Sequence, residues 1–94
     1  MNINHFAYFI EAVRENSITK AAESLFISQS TISKAIKSLE QAYNTELIDR
    51  KARKFKLIQQ GRFFTIVLLK LYQIINQKRK SWLHYYIAIA ENSR

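Results

Sequence analysis

Cysteine and proline are both absent from this chain of 94 residues, and glycine occurs once, at Gly61. Without cysteine the chain forms neither disulfides nor thiolate metal sites, which fits a protein of the reducing cytoplasm. Because the residues that interrupt helices are so scarce, we expect long helices joined by short turns. The length predicts one small domain, of a size that often relies on a partner chain to complete its buried surface.

Signals for membrane insertion, export and catalysis are also missing. The longest apolar run, at 63–75, is interrupted by Lys70 and is shorter than the roughly 20 residues of a membrane span. The N-terminus lacks the basic start and apolar core of a signal peptide. No Ser/His/Asp set, metal-ligand spacing or glycine-rich phosphate loop is present in the sequence. We therefore expect a soluble cytoplasmic protein that is not an enzyme and uses no cofactor, metal or membrane.

Charge is distributed unevenly along the chain. The formal net charge is +8 at pH 7, yet residues 1–47 hold four basic and five acidic residues, whereas residues 48–94 hold eleven and two. Five of the seven residues from Arg50 to Lys56 are basic. Positive charge concentrated in this way attracts polyanions, and a phosphate backbone fits such a segment best.

The apolar pattern predicts three helices in the first 42 residues. Apolar side chains recur between residues 3 and 15 at the spacing of one helix face. Two further helices are each preceded by a serine, which is a favoured N-cap residue. Ser17 begins the one at about 18–25, and Ser28 begins the one at about 29–42. Alanines in the second helix allow close crossing, so this pair is predicted to form a helix-turn-helix.

The outward face of the third helix carries side chains that can read bases. Glutamine pairs with adenine, serine and threonine bond to several bases and to phosphates, and lysine favours guanine or phosphate. In a helix-turn-helix this helix enters the major groove of DNA. Its predicted inward face is Ile32, Ala35 (or Ile36) and Leu39. The predicted DNA-binding residues are Ser28, Gln29, Ser30, Thr31, Ser33, Lys34 and Lys37.

The basic segment lies between two short stretches rich in apolar residues, at 47–48 and 55–58. These stretches are predicted to form the two strands of a β-wing. A wing places its cationic tip on the DNA backbone or in the minor groove, and Arg50, Arg53 and Lys54 are the candidates. Arg53 is predicted to enter the groove, because narrow A·T-rich minor grooves attract arginine.

A long helix with a broad apolar face is predicted to begin at Gly61. The face is too wide for a helix that crosses solvent alone, so we expect it to pack partly on its own domain and partly on a second copy. The predicted dimerisation residues are Phe64, Val67, Leu68, Leu71 and Ile75.

The predicted fold is thus mainly α. A winged helix-turn-helix, with three helices and a two-stranded wing, occupies residues 1–60 and binds DNA. A linker and dimerisation helix follows at 61–82. Residues 83–94 are predicted to be the start of a truncated further domain or a tail, because Tyr85, Ile87 and Ile89 recur at every second position, as in a strand.

This arrangement resembles the N-terminal domain of LysR-type transcriptional regulators, which are bacterial winged helix-turn-helix proteins. The similarity covers residues 1 to about 60, and the family's linker helix accounts for about 61–80. Asn44 stands where the family usually has glycine, and Ser30 where it often has proline. The residues that carry the resemblance are Phe6, Phe9, 17–22, Leu25, 28–30, 32–34, Ile36, 39–40, 47–48, Arg50, Leu57 and Gly61.

The resemblance implies roles for particular residues. It implies that Gln29, Ser33 and Lys34 face the major groove with Ser30 beside them, and that Arg53 approaches the minor groove. It also implies an antiparallel dimer of linker helices and, for a full-length form, a tetramer. The family's co-inducer binds to a C-terminal domain, so no small-molecule ligand is expected for these 94 residues.

Two functions follow from these observations as hypotheses. The first is sequence-specific binding of double-stranded DNA by a dimeric bacterial transcription regulator at a two-fold related site. The second is a helical protein-interaction module whose basic wing docks on an acidic partner. Replacing Gln29 and Ser33 separates them, because only the first predicts a change in DNA binding.

Overall fold

The computed structural model describes residues 3–75, with side chains described from Asn4 to Leu71. The segment at 83–94, predicted to be a strand or tail, lies outside the described residues, as does the end of the predicted linker helix. No helix of the described part has the length and apolar character needed to cross a membrane. The elements are α1 (Ile3–Glu15), α2 (Ile18–Leu25), α3 (Gln29–Ala42) and α4 (Gln59–Ile75).

Two serine caps define where α2 and α3 begin. The hydroxyl oxygen of Ser17 accepts a hydrogen bond from the backbone N–H of Lys20 at 3.0 Å, and that of Ser28 accepts one from Thr31 at 3.1 Å. Each bond satisfies a backbone donor that the first turn of a helix leaves unpaired. The predicted caps and the predicted bounds of these two helices are confirmed.

Helices α1, α2 and α3 surround one apolar core. Its largest fully buried side chains include Phe9 of α1 and Ile32, Ile36 and Leu39 of α3. Ala35 is also buried, so the inward face of α3 contains both residues that the sequence offered as alternatives. The four buried residues of α3 are adjacent or about one helical turn apart, so they lie on one face of the helix. The opposite face of α3 is left to solvent.

The segment between α3 and α4 is a hairpin with a single antiparallel bridge, between Ile48 and Leu57. The two strands that were predicted for the wing are therefore not formed within the described residues. Pairing stops early because the donors at the tip bond locally: Lys51 N–H donates to the Asp49 carboxylate at 3.0 Å, and Ala52 N–H to the Asp49 carbonyl at 3.3 Å. We call residues 47–58 the wing hairpin.

Helix α4 begins at Gln59, two residues before the predicted start at Gly61. Gly61 is required by close packing, since a Cβ at that position would lie 1.9 Å from the carbonyl oxygen of Leu47. Thr65, one turn later, is fully buried and donates its hydroxyl to the Gly61 carbonyl at 2.8 Å. The first turn of α4 thus lies directly against the backbone of Leu47, at the base of the wing hairpin.

Aromatic rings attach α4 to the rest of the domain. The Phe64 ring lies 5.8 Å from that of Phe9, 6.5 Å from that of Phe6 and 5.1 Å from that of Tyr43. These residues come from α1 and from the end of α3. Ring pairs at such distances add about 0.5–1.5 kcal/mol each beyond the burial of apolar area. The orientation of α4 relative to α3 is therefore fixed by side-chain packing.

Candidate nucleic-acid interface

The outward face of α3 is polar and open to solvent. Its predicted DNA-binding residues are exposed, with the exception of Ser33, which is half-buried. Within the described part of the chain, the side chains of Gln29, Ser33, Lys34 and Lys37 have no hydrogen-bond or ion-pair partner. Binding to another molecule therefore requires no internal bond to break, which keeps the cost of association low.

The three hydroxyl groups at the start of α3 form a small network. The Ser28 hydroxyl lies 3.1 Å from that of Ser30 and 2.8 Å from that of Thr31. These groups surround the N-terminus of a helix, where free backbone N–H groups and the helix dipole favour an anion. The network can accordingly orient hydroxyl donors toward a phosphate next to the bases that α3 faces.

The basic residues of the wing hairpin fall into two kinds. Arg53 and Lys54 are exposed and have no ion-pair partner among the residues that the structure describes. Arg50, in contrast, forms an ion pair with Glu40 of α3. The three residues predicted together as wing contacts are therefore not equivalent, because the charge of one is already compensated within the chain.

An open groove separates the start of α2 from the wing hairpin. One wall contains Ser17, Thr19 and Lys20, and the other consists of wing residues including Arg53 and Lys56. Lys20 and Lys56 were not among the DNA-binding residues predicted from the sequence. Lys20 could have been found from its place in the first turn after the Ser17 cap. The groove thus extends the basic surface from the wing hairpin toward α2.

A second set of charges joins α1 to α2. Glu11 accepts hydrogen bonds from the Arg14 guanidinium at 3.0 and 2.6 Å and from the Ser24 hydroxyl at 2.8 Å. The bonds from Arg14 are the largest cause of the lowered pKa of Glu11, and the same bonds raise the pKa of Arg14. This network is structural, because it fixes α2 against α1.

The apolar residues of α4 divide between the domain and solvent. Phe64 packs in the aromatic cluster, and Leu68 packs against the core. Val67 and Leu71 are 41% and 51% exposed, and Phe63, which the sequence reasoning did not select, is 69% exposed. The fifth predicted residue, Ile75, lies beyond the described side chains. The residues 63, 67 and 71, each four apart, form a stripe along one side of the helix. We call them the α4 stripe.

Comparison with known proteins identifies the family. Residues 3–62 match the model of the bacterial regulatory helix-turn-helix proteins of the lysR family. The chain is 36% identical over 77 residues to the transcriptional regulator BenM of Acinetobacter baylyi, covering 82% of this chain and 25% of BenM. It is 49% identical over 57 residues to the uncharacterized regulator YwbI of Bacillus subtilis, covering 61% of this chain and 19% of YwbI. The chain thus spans about a quarter or less of the length of these curated relatives.

Solved structures agree with this match. The BenM DNA-binding domain in complex with benA site 1 DNA has a TM-score of 0.74 and 36% identity, covering 83% of this chain and 91% of that one. Vibrio fischeri DarR, also solved with DNA, has a TM-score of 0.71 and 28% identity, covering 83% of this chain and 27% of that one. The fold is that of the DNA-binding domain in these proteins, and the chain belongs to the LysR family of bacterial regulatory helix-turn-helix proteins.

Proposed function

We propose that this chain binds double-stranded DNA in a sequence-specific manner, as the DNA-binding part of a dimeric bacterial transcription regulator. The observation that carries the proposal is the face of α3, where Gln29, Lys34 and Lys37 are exposed and Ser33 is half-buried. None of these four side chains has a hydrogen-bond or ion-pair partner among the described residues. The similarity to the BenM DNA-binding domain, whose solved complexes contain DNA, supports the same conclusion. The proposal places the chain in the cytoplasm as a regulator and not an enzyme.

The residues of α3 are assigned according to their chemistry. Gln29 pairs with adenine, Ser33 bonds to a neighbouring base, and Lys34 contacts guanine or phosphate. Lys37, one turn further, contacts phosphate. The hydroxyl groups of Ser28, Ser30 and Thr31 position the start of the helix on the backbone.

The wing hairpin supplies contacts outside the major groove. We assign Arg53 to the minor groove and Lys54 to the phosphate backbone beside it. Lys20 and Lys56 line the groove that continues from the wing to α2 and add positive charge along the same side. This side of the molecule provides the part of the affinity that depends on salt concentration.

The α4 stripe is the proposed dimer contact. Phe63, Val67 and Leu71 are exposed apolar residues on a helix whose other face is already anchored to the domain. A second copy of α4 packed in antiparallel fashion would remove them from water. A dimer of this kind presents two α3 helices related by a two-fold axis, which requires a two-fold related DNA site.

Fluorescence anisotropy with labelled duplexes tests the proposal. The unmutated chain is expected to bind a duplex from the promoter region of its own gene more tightly than a scrambled duplex. Gln29→Ala and Ser33→Ala are each expected to cost about 1–3 kcal/mol and to relax base preference. Gln41→Ala, which removes an exposed glutamine near the other end of the same helix, is the matched control and should bind normally.

Two outcomes of this titration contradict the proposal. The first is equal affinity for both duplexes together with no dependence on salt. The second is unchanged DNA binding in the Gln29 and Ser33 variants. Either result would favour the protein-interaction module with an acidic partner.

A further inference from the structure

Glu40 connects α3 to the wing hairpin through a single carboxylate. It lies in the second half of α3, and its side chain is only 11% exposed. One carboxylate oxygen, Oε2, accepts the backbone N–H of Leu47 at 2.8 Å. The other, Oε1, accepts from the Arg50 guanidinium at 2.5 Å. Both oxygens are therefore occupied by residues of the first arm of the hairpin.

The segment that Glu40 holds is also fixed from its other side. The carbonyl oxygen of Leu47 accepts the backbone N–H of Ile58 at 3.1 Å, which closes the hairpin. The same carbonyl lies against Gly61, where α4 approaches. Residues 47–50 are thus the place where α3, the wing hairpin and α4 meet, and Glu40 supplies the bonds from α3.

The ion pair with Glu40 makes it costly for Arg50 to contact a phosphate. Its side chain is 48% exposed, and its charge is directed at a nearly buried carboxylate that would lose its charged partner if Arg50 turned to a phosphate. Breaking the pair leaves the nearly buried Glu40 carboxylate with the Leu47 N–H but without its charged partner, which is costly. Arg53 has no acidic partner in the described part of the chain and carries no such cost.

We propose that Glu40 and Arg50 form a positioning pair that sets the wing hairpin relative to α3, and that Arg50 acts through Glu40 without contacting DNA. This inference rests on the proposed DNA binding and deepens it. Arg50 was predicted to contact DNA from the wing. In this proposal it instead positions Arg53 and Lys54, which make the contacts.

A double-mutant cycle on DNA affinity tests the coupling. Glu40→Gln and Arg50→Gln are each expected to weaken binding roughly tenfold, near the lower end of what a hydrogen bond between charged groups contributes. The double variant should bind about as well as the weaker single variant, because both remove the same pair. Losses that multiply in the double variant would overturn the inference, as would tighter binding by Glu40→Gln, which would mean that Glu40 competes with phosphate for Arg50.

The salt dependence of binding gives a readout that a fold defect alone would not move. Arg50→Gln and Glu40→Gln are expected to lower the slope of log affinity against log salt by the same amount, because both misplace the same wing contacts. Lys54→Gln, which removes the residue assigned to phosphate, is the control and should lower the slope by about 0.9, the contribution of one phosphate charge. A drop for Arg50→Gln with none for Glu40→Gln would show that Arg50 contacts phosphate directly and would overturn the proposal.

Footprinting locates the defect on the DNA. With Glu40→Gln and Arg50→Gln, hydroxyl-radical protection of the sugars along the flanking minor groove should weaken, while protection of guanine N7 from dimethyl sulfate in the major groove under α3 is retained. Uniform loss of protection would contradict the positioning role. All variants are compared at a temperature below the lowest melting temperature among them. If Glu40→Gln does not fold, the footprint of Arg50→Gln alone tests the positioning role. Failure of the unmutated chain to bind any duplex would instead refute the proposed function itself.

Discussion

Replacing Gly61 by alanine is the sharpest perturbation of the way α4 joins the domain. On an unobstructed helix this change would stabilise the protein, because alanine is favoured over glycine by about 0.8–1.0 kcal/mol in a helix interior. Here the added Cβ would lie 1.9 Å from the Leu47 carbonyl oxygen and 2.8 Å from its carbonyl carbon. Both atoms are backbone, so no side-chain rotation relieves the overlap.

The size of the overlap sets the magnitude. Ordinary van der Waals contact begins at 3.4 Å, so the start of α4 and the wing base must separate by about 1.5 Å, the difference from 1.9 Å. Such a shift strains the hydrogen bond between Ile58 and Leu47 and the aromatic packing of Phe64. Overpacking of this kind costs roughly 1–3 kcal/mol. Because both obstructing atoms belong to the backbone, we expect the upper part of that range, about 2–3 kcal/mol. After the helix preference of alanine, about 1 kcal/mol, is subtracted, the net loss is about 1–2 kcal/mol.

Thermal unfolding followed by circular dichroism measures this effect. For a domain of this size the melting temperature should fall by roughly 5–15 °C. Gln60→Ala, at the exposed neighbouring position, is the control and should change it little. All samples need one protein concentration, because dimerisation contributes to apparent stability. An unchanged or higher melting temperature for Gly61→Ala would refute the close-packing argument.

Three further predictions concern the cap, the dimer and pH. Ser28→Ala should cost about 1 kcal/mol of stability by urea denaturation, because it removes the N-cap of α3; no loss would contradict the capping role. Leu71→Asp should shift sedimentation from dimer to monomer in a folded protein, whereas Leu68→Asp should also lower the melting temperature, because Leu68 packs on the core. A dimer retained in Leu71→Asp would contradict the α4 stripe. Because Arg14 lowers the pKa of Glu11 from 4.5, this pair stabilises the fold above that value and stops doing so as the pH falls through the lowered pKa. The difference in unfolding free energy between the unmutated chain and Glu11→Gln should therefore shrink in acid; a difference that grows would reverse the argument.

Local signals in the sequence were sufficient for the helices. Helical periodicity and the serines at 17 and 28 predicted α2 and α3, because a cap and an apolar stripe both act within a few residues. Asn44, which stands where the family usually has glycine, has a left-handed backbone with φ of 52°, a conformation that asparagine tolerates better than most residues. The left-handed conformation of Phe26, with φ of 57° and 94% exposure, was not predicted, because asparagine or glycine usually occupies such a position.

Features that depend on contacts distant in sequence were harder to predict. The wing was expected to have two strands, but backbone donors at its tip bond to Asp49. The periodicity of apolar residues in the sequence does not predict these local hydrogen bonds. The bonds of Glu40 to Leu47 and Arg50 depend on how the hairpin folds back on α3. The α4 residues were predicted as one face, and only the packing shows that Phe64 contacts the core while Phe63 is exposed.

Selection of bound duplexes from a random pool tests the central claim most directly. The unmutated chain is expected to enrich one sequence made of two half-sites related by a two-fold axis, because a dimer presents two α3 helices. Gln29→Ala should lose preference at one base pair in each half-site, while Gln41→Ala should enrich the same sequence as the unmutated chain. A pool that shows no enriched sequence after repeated selection, or enrichment unaffected by Gln29→Ala, would contradict the account of α3 as the helix that reads DNA.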